Sequence, residues 1–264
     1  MLVVNKIEQI LFFIKGNFIR YTLTESEDER EHLLWESDAQ LQKLIDISID
    51  HIPPSAFIPP LQIKAIFEQV YLDAEFMYQE DPAANSLREV LFCYPGIHAI
   101  FYYRLAHLLL KNRVYVLPRI ISELAHSHTG IDIHPGAMIE TPFMIDHGTG
   151  VVIGETCIIG HHVKLFQGVT LGASVVHKKQ KHIKRHPTIE DHVTIYAGST
   201  ILGGNTIIGR HCIIGGSTHI SQSVKPYSIV YHKQQNSIRS LINNQEYARK
   251  EPDKELVNAP EYFI

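Results

Sequence analysis

The chain has 264 residues, a formal net charge of -4 and 45% hydrophobic residues, which is enough sequence for one or two domains. The near-neutral charge argues against a nucleic-acid partner, because proteins that bind nucleic acids usually carry a basic excess. The apolar start is interrupted by Lys6 and Glu8, so neither a membrane span nor a secretory signal is expected. Cys93, Cys157 and Cys212 are odd in number and widely spaced, which fits a reducing, cytoplasmic location.

The first 130 residues are predicted to be helical, because apolar residues recur there at helical spacing. Near the start, this spacing predicts an amphipathic helix that packs on the body of the protein. Ser26 followed by Glu29 has the form of a capping box and predicts a helix start. Later helices are predicted at three places: up to about Asp81, from about Gly96 to Lys111, and from Pro118 to Ser127.

From Ile133 to Val224 the sequence repeats with a period of six. Aliphatic residues mark the repeat at Ile133, Ile139, Ile145, Ile153, Ile159, Leu165, Leu171, Ile189, Ile195, Ile201, Ile208, Ile214 and Ile220. This period fits neither a helix nor an alternating strand, and it is typical of a left-handed parallel β-helix with three hexads in each triangular coil. The predicted fold class is therefore α+β, a helical N-terminal domain followed by a hexapeptide-repeat solenoid.

Three regions follow from these patterns: a helical domain over residues 1–130, the β-helix over 131–230 and a polar tail over 231–264. One excursion loop, residues 173–187, interrupts the hexads with a polar and basic segment. Such loops often lie on the binding face of a solenoid. Its basic residues are either simply solvated or attract the phosphates of a nucleotide-like ligand.

Asp132 and His147 are the first candidates for chemistry. They are 15 residues apart, and an 18-residue coil would bring His147 close to Asp132 on the neighbouring coil. A carboxylate on one imidazole nitrogen fixes the tautomer and leaves the other nitrogen as a base. A surface corner with a satisfied histidine and a turn aspartate explains the spacing equally well.

A metal site is the second candidate, because His177 and His182 have a His-x4-His spacing with His186 nearby. The γ-class carbonic anhydrases are left-handed β-helices that bind zinc through three histidines. Those ligands lie on regular coils, whereas these histidines lie in an irregular loop beside Lys179 and Arg185, which would repel a cation. We therefore expect no metal.

Several motifs between about residues 70 and 230 identify a family. They are Asp81-Pro82-Ala83-Ala84, Tyr94-Pro95-Gly96-Ile97-His98-Ala99, Tyr103-Arg104-Leu105-Ala106-His107, Thr129-Gly130-Ile131-Asp132-Ile133-His134-Pro135, Ile145-Asp146-His147, Val152-Ile153-Gly154-Glu155-Thr156, Gln167-Gly168-Val169-Thr170-Leu171-Gly172 and Arg185-His186-Pro187. Together they resemble the serine O-acetyltransferases of cysteine biosynthesis, in the hexapeptide-repeat acyltransferase group. The resemblance implies transfer of an acetyl group from acetyl-CoA to the L-serine hydroxyl, giving O-acetylserine.

The resemblance also implies roles for individual residues. His147 would be the general base, and Asp132 would orient it and stabilise its charged form. The acceptor would be bound at four further positions: Asp81 and Asp146 near its ammonium and hydroxyl, and Arg185, assisted by His186, on its carboxylate. A zwitterionic amino acid needs an anion near its amine and a cation near its carboxylate, so these roles are chemically consistent.

Acetyl-CoA enters as a co-substrate, with no permanently bound cofactor implied. Its pantetheine arm would lie in a groove beside Gly172, Ala173, Ala197, Gly198, Gly215 and Gly216. The chain departs from the family pattern at Ala173, where a second glycine is frequent, and after Pro226, where the usual Gly-x-Pro-Ala motif is missing. The coenzyme contacts made there are therefore unassigned.

Family members associate as trimers, or as dimers of trimers, with active sites between subunits. In the family a C-terminal isoleucine inserts into the active site of cysteine synthase, and Ile264 is the matching residue here; an unstructured end that happens to be apolar explains it equally well. Inhibition by cysteine is also implied. Two alternatives stay open: an acetyltransferase for another acceptor, such as homoserine or an amino sugar, and a weakly catalytic scaffold that binds cysteine synthase.

Overall fold

The computed structural model describes residues 2–46, 61–174 and 183–232. Its N-terminal part is helical as predicted, with α1 Leu2–Leu23, α2 Glu27–Asp46, α3 Leu61–Glu80, α4 Leu87–Cys93, α5 Pro95–Lys111 and α6 Val116–Thr129. None of the helices in these ranges combines the length and the apolar character needed to traverse a bilayer. Residues 233–264 of the predicted tail, including Ile264, lie outside the described residues, as do His177 and His182 of the metal alternative.

The helix boundaries follow local signals in the sequence. The Glu29 amide donates to Ser26 Oγ at 3.3 Å at the start of α2, which confirms the predicted helix start. The Glu29 carboxylate does not return to Ser26 but accepts hydrogen bonds from Thr24 and Arg20. Only half of the capping box therefore forms, and the other half ties α2 to the end of α1.

Fourteen short strands follow α6 within the described residues. They are β1 Asp132–Ile133, β2 Met138–Ile139, β3 Phe143–Ile145, β4 Val152–Ile153, β5 Ile158–Ile159, β6 Val163–Leu165, β7 Thr170–Gly172, β8 Thr188–Ile189, β9 Thr194–Ile195, β10 Thr200–Leu202, β11 Ile207–Ile208, β12 Ile213–Ile214, β13 His219–Ile220 and β14 Ile229–Val230. Strands three apart pair in parallel, and the last strand, β14, pairs with β12; this forms the three faces of a triangular prism.

The faces are named here in chain order. Face A contains β1, β4, β7, β10 and β13, face B contains β2, β5, β8 and β11, and face C contains β3, β6, β9, β12 and β14. The chain therefore passes three corners in each coil: A–B, B–C and C–A. Most of the candidate site residues of the solenoid lie at these corners.

All thirteen aliphatic residues of the hexad repeat are buried. Cys157 and Cys212 occupy small-residue positions of the repeat and are also fully buried, whereas Cys93 is exposed. The buried residues of the helices and of the prism form one continuous cluster. The secondary structure changes between Thr129 and Asp132, but the two parts share a core.

The B–C corner carries a stack of aromatic rings along the prism. His162, His192 and His211 stack at centroid separations of 4.6 and 4.7 Å, and Tyr227 extends the stack at 5.0 Å. All four residues have left-handed φ angles between 57° and 60°. The same turn conformation, repeated once per coil, therefore aligns their rings.

Candidate active site

Asp81 is the first predicted site residue, and it lies directly after α3. Its amide donates to Met77 O at 3.0 Å, so the hydrogen bonding of the helix continues to this residue. Its carboxylate accepts from the Ala83 amide at 2.8 Å and from the Tyr94 hydroxyl at 2.5 Å. The hydrogen bond to Asp81 raises the pKa of Tyr94, so the phenol stays neutral and acts as the donor.

Asp146 and His147 lie at the first C–A corner, directly after β3. Asp146 Oδ1 accepts from the His147 amide at 2.8 Å, and Asp146 Oδ2 lies 3.8 Å from His147 Nε2. The His147 side chain is 66% exposed and that of Asp146 is 17% exposed. The imidazole therefore faces solvent, and the more buried carboxylate lies next to it. The negative charges of Asp81 and Asp146 both act on Tyr94. We call Asp81, Tyr94, Asp146 and His147 the acceptor cluster.

Tyr94 was not among the predicted site residues. It precedes α5 and has Pro95 at the first position of that helix. The Tyr94-Pro95-Gly96 motif was the available signal, but the motif does not show that the phenol reaches a carboxylate thirteen residues earlier.

Asp132 begins β1, and its position corrects the spacing argument. It pairs with Val152, so the first coil takes 20 residues instead of the 18 assumed. The additional residues lie in the C–A corner that holds His147, where Gly148 and Gly150 also have left-handed φ angles. Within the described residues, neither a hydrogen bond nor an ion pair joins Asp132 to His147, and Asp146 is the carboxylate beside the imidazole. The pairing of Asp132 with His147 stays a prediction.

Arg185 and His186 lie at the A–B corner, at the end of the excursion loop. Both of their amides donate to Thr156 Oγ1, at 2.9 and 3.1 Å. The Arg185 guanidinium forms an ion pair with Glu155, and Lys184 Nζ donates to Thr156 O at 3.0 Å. This end of the loop is therefore fixed on the preceding coil. We call Glu155, Thr156, Lys184, Arg185 and His186 the basic cluster.

His186 is held as a neutral donor. It is 8% exposed, and burial, followed by the charge of Arg185, lowers its pKa to about 4. Its Nδ1 accepts from the Thr156 amide at 3.0 Å, so the proton of the neutral ring lies on Nε2. A Cβ at Gly154 would clash with this ring, which means that the ring packs directly on the Gly154 backbone.

The predicted pantetheine groove is divided between two corners. Four of its residues come together at the C–A corner: Ala197, Gly198, Gly215 and Gly216. A Cβ on Gly216 would lie 3.2 Å from Ala197 O, and one on Gly198 would lie 3.5 Å from Ser217 Oγ. Gly172 and Ala173 lie instead across face A, where β7 leads into the excursion loop.

The acceptor cluster and the basic cluster lie at different corners of the prism, because face A separates them. His134, at the end of β1, is close enough to Asp132, Glu155 and Arg185 for their charges to act on it, although burial is the main cause of its lowered pKa. One chain thus presents two separate groups of charged side chains, one with carboxylates and one with a guanidinium, which we call the two half-sites.

Comparison with known proteins shows which of them this chain is similar to. No protein-family model matches the chain. It is 60% identical over 101 residues to the plasmid serine acetyltransferase of Synechococcus elongatus, covering 38% of this chain and 32% of that protein. It is 52% identical over 122 residues to the serine acetyltransferase of Bacillus subtilis, covering 46% and 54%. The matched segments thus span about a third to about half the length of these curated relatives.

Solved structures match over much more of the chain. Serine acetyltransferase isoform 3 of Entamoeba histolytica, in complex with cysteine, is 33% identical with a TM-score of 0.69, covering 91% of this chain and 86% of that one. The chain belongs to the serine acetyltransferase family. The family enzyme of Neisseria gonorrhoeae in complex with serine has 27% identity and a TM-score of 0.62, covering 83% and 80%. A serine acetyltransferase in complex with CoA has 28% identity and a TM-score of 0.57, covering 86% and 96%.

Membership of the serine acetyltransferase family confirms the predicted fold class, a helical N-terminal part followed by a left-handed parallel β-helix. The serine acetyltransferase motifs at Asp81, Asp146 and His147 meet in one cluster, and those at Arg185 and His186 meet in another. Sequence reasoning missed Tyr94 and Glu155 as partners of Asp81 and Arg185, because each pairing is tertiary.

Proposed function

We propose that the protein is a serine O-acetyltransferase, which transfers the acetyl group of acetyl-CoA to the hydroxyl of L-serine. The product, O-acetylserine, makes this the first step of cysteine biosynthesis. The acceptor cluster carries the proposal, because it places an exposed imidazole beside the Asp146 carboxylate and a second carboxylate, Asp81, on the neighbouring Tyr94. That arrangement binds an ammonium group and removes a hydroxyl proton at the same place.

His147 acts as the general base in this proposal. It takes the serine hydroxyl proton while the hydroxyl oxygen attacks the thioester carbonyl of acetyl-CoA. When the tetrahedral intermediate collapses, the C–S bond breaks and the imidazolium returns the proton to the leaving thiolate. Asp146, 3.8 Å from Nε2, stabilises the imidazolium, and Asp132 orients the ring from the side of β1. Neither a metal nor a covalent enzyme intermediate takes part; positioning and proton transfer are sufficient.

Binding of serine uses both half-sites. Asp81 and Asp146 hold the ammonium and hydroxyl ends, and Tyr94 keeps the Asp81 carboxylate in place. Arg185 binds the carboxylate in exchange for part of its pairing with Glu155, and neutral His186 donates from Nε2. The pantetheine arm lies along the groove formed by Ala197, Gly198, Gly215 and Gly216 together with Gly172 and Ala173.

A complete site requires a second copy of the chain, because the two clusters lie at different corners. We propose a trimer in which the acceptor cluster of one subunit faces the basic cluster of the next. Closed rings of this kind are the usual result of a head-to-tail interface. The proposal has four further parts. Two trimers pair through their helical parts, and Ile264 docks on cysteine synthase. Cysteine inhibits the enzyme, and the protein is cytoplasmic.

The runner-up functions differ in measurable ways. An acetyltransferase for homoserine would keep the same base and release thiol only with the longer acceptor. A scaffold for cysteine synthase would bind that enzyme without releasing thiol. A zinc hydratase would contain stoichiometric zinc, which elemental analysis detects.

Thiol release from acetyl-CoA tests the proposal directly, with L-serine, with L-homoserine and without acceptor. The chain offers matched variants, because His147 and His192 both have left-handed φ angles, 55° and 58°, which asparagine tolerates. His147→Asn should lower serine-dependent release by about 10²–10⁴-fold, the usual contribution of a general base. His192→Asn should keep it. Release with L-homoserine but not with L-serine would show that homoserine is the acceptor. Equal activity of His147→Asn and His192→Asn would show that His147 is not the general base.

A further inference from the structure

A buried ion pair lies between the helical part and the first coil. Arg104 on α5 donates from Nε and Nη2 to the two oxygens of Asp73 on α3, at 2.6 and 2.9 Å. The Asp73 side chain is fully buried and that of Arg104 is 4% exposed. Two parallel hydrogen bonds of this kind fix the relative orientation of the two groups as well as their distance.

The same two side chains also bind the solenoid backbone. Asp73 Oδ1 accepts from the Phe143 amide at the start of β3, at 2.8 Å. Arg104 donates to Ile139 O at 3.3 Å and to Glu140 O at 3.4 Å, at the end of β2. The pair therefore connects α3, α5, β2 and β3 through two buried side chains. We call it the Asp73–Arg104 lock.

Both arms of the acceptor cluster start from this lock. Along α3, helical hydrogen bonding continues from Asp73 to the Asp81 amide, which donates to Met77 O at 3.0 Å. Along β3, the chain runs from Phe143 to Asp146, whose amide is fixed on Leu165 O at 2.9 Å. The helix α3 and the strand β3 thus run from the lock to Asp81 and Asp146, the two carboxylates whose charges act on Tyr94.

We propose that Asp73 and Arg104 are positioning residues for the amino-acid acceptor, because they set the separation between Asp81 and Asp146. This inference rests on the proposed function, since those carboxylates are its ammonium and hydroxyl sites. The lock touches no substrate. Its effect is on acceptor binding and not on the coenzyme groove, whose residues lie on later coils.

A second buried contact between the two parts supplies the matched control. Tyr103 Oη on α5 donates to Ala137 O at 2.7 Å, at the A–B corner that follows β1. It joins the helices to the solenoid as the lock does, but it lies on neither α3 nor β3. Tyr103→Phe therefore weakens the junction and leaves both arms of the acceptor cluster in place.

The experiment compares wild type, Arg104→Lys, Asp73→Asn and Tyr103→Phe by steady-state kinetics with each substrate varied. Lysine keeps the charge but loses the planar fork, so Arg104→Lys is the variant that should fold even where Asp73→Asn does not. We expect the serine KM of Arg104→Lys to rise by about tenfold, the scale of a displacement below 1 Å. The acetyl-CoA KM should change by less than about twofold, and Tyr103→Phe should keep both KM values.

Hydrogen–deuterium exchange is the second readout, and it does not depend on activity. The segments 81–86 and 143–148 should exchange faster in Arg104→Lys than in wild type, and at unchanged rates in Tyr103→Phe. An unchanged serine KM in Arg104→Lys, or the same rise in Tyr103→Phe, would overturn the inference. A wild type without serine-dependent release would instead defeat the proposed function, and exchange in the two segments would then decide on the lock alone.

Discussion

Tyr94 connects the two carboxylates of the acceptor cluster. Its hydroxyl donates to Asp81, and it lies close enough to Asp146 for that charge to raise the pKa of the phenol. Without the hydroxyl, the Asp81 carboxylate would lose one of the two donors that hold it in place. We expect Tyr94→Phe to raise the serine KM by about fivefold, corresponding to a net hydrogen-bond contribution of roughly 1 kcal/mol. Kinetics with acetyl-CoA varied serve as the control, and an unchanged serine KM would contradict the role.

The neutral state of His186 has a consequence for stability. Its pKa is lowered from 6.5 to about 4, first by burial and then by Arg185. Between these values the unfolded chain binds a proton that the folded chain does not, so the stabilisation is complete above 6.5 and is lost as the pH falls toward 4. His186→Asn retains an acceptor near the Thr156 amide but cannot titrate.

Denaturant unfolding at about pH 7 and about pH 4.5 measures this linkage. The free energy of unfolding should fall more in wild type than in His186→Asn over that interval. Half-buried histidines, such as His107 and His134, are present in both proteins, so the difference isolates position 186. Equal losses in the two proteins would show that His186 does not contribute.

At the scale of elements, the hexad repeat predicts the strands and their inward side chains, and all thirteen aliphatic positions are buried. The corners between the strands vary in length. Successive partners on face A, such as Asp132 with Val152 and Thr170 with Thr200, are separated by different numbers of residues. The longer first C–A corner shows in the sequence only as an eight-residue step from Ile145 to Ile153, whereas the spacing argument assumed six residues at every step. This is why the sequence identifies His147 as a candidate but misplaces it relative to Asp132.

Gly198 shows what the C–A corner requires of its residues. It has a φ of 70°, and a Cβ there would meet only Ser217 Oγ at 3.5 Å, so conformation opposes a side chain more than space does. Gly198→Ala should cost about 1–2 kcal/mol of stability, because alanine is strained in the left-handed region. Gly198→Asn should retain more stability, because asparagine tolerates that φ.

Both substitutions at Gly198 also fill the proposed pantetheine groove. The acetyl-CoA KM should therefore rise in Gly198→Ala and in Gly198→Asn, while their melting temperatures differ. This comparison separates the effect of filling the groove, seen in the acetyl-CoA KM, from the effect of backbone strain, seen in the melting temperature. A coenzyme KM that follows the melting temperature, or that stays constant in both variants, would exclude Gly198 from the groove.

At the scale of the whole molecule, the two half-sites predict complementation between inactive chains. His147→Asn removes the base from the acceptor cluster, and Arg185→Ala removes the carboxylate partner from the basic cluster. Random mixing after reversible dissociation should restore about a quarter of the sites in a cyclic trimer, since each site uses one cluster from each neighbour. Activity of the mixture measures this, and homogeneous samples of each variant are the controls. No recovery, with mixed trimers demonstrated by mass spectrometry, would place both clusters of a site in one chain.

The shared core also gives the β-helix a direction. The helices pack on the first coil, whose strands β1 and β3 contact α6, α3 and α5, whereas each later coil is held mainly by its neighbours. Such a stack behaves as a one-dimensional zipper with nearest-neighbour coupling, and here one end of the zipper is closed. Among the described residues no helix packs on the last coil, so we expect fraying to start at β13 and β14 and to proceed toward the helices. The acceptor cluster, on the first coil, is the last part of the prism to open, while the outer part of the coenzyme groove is the first.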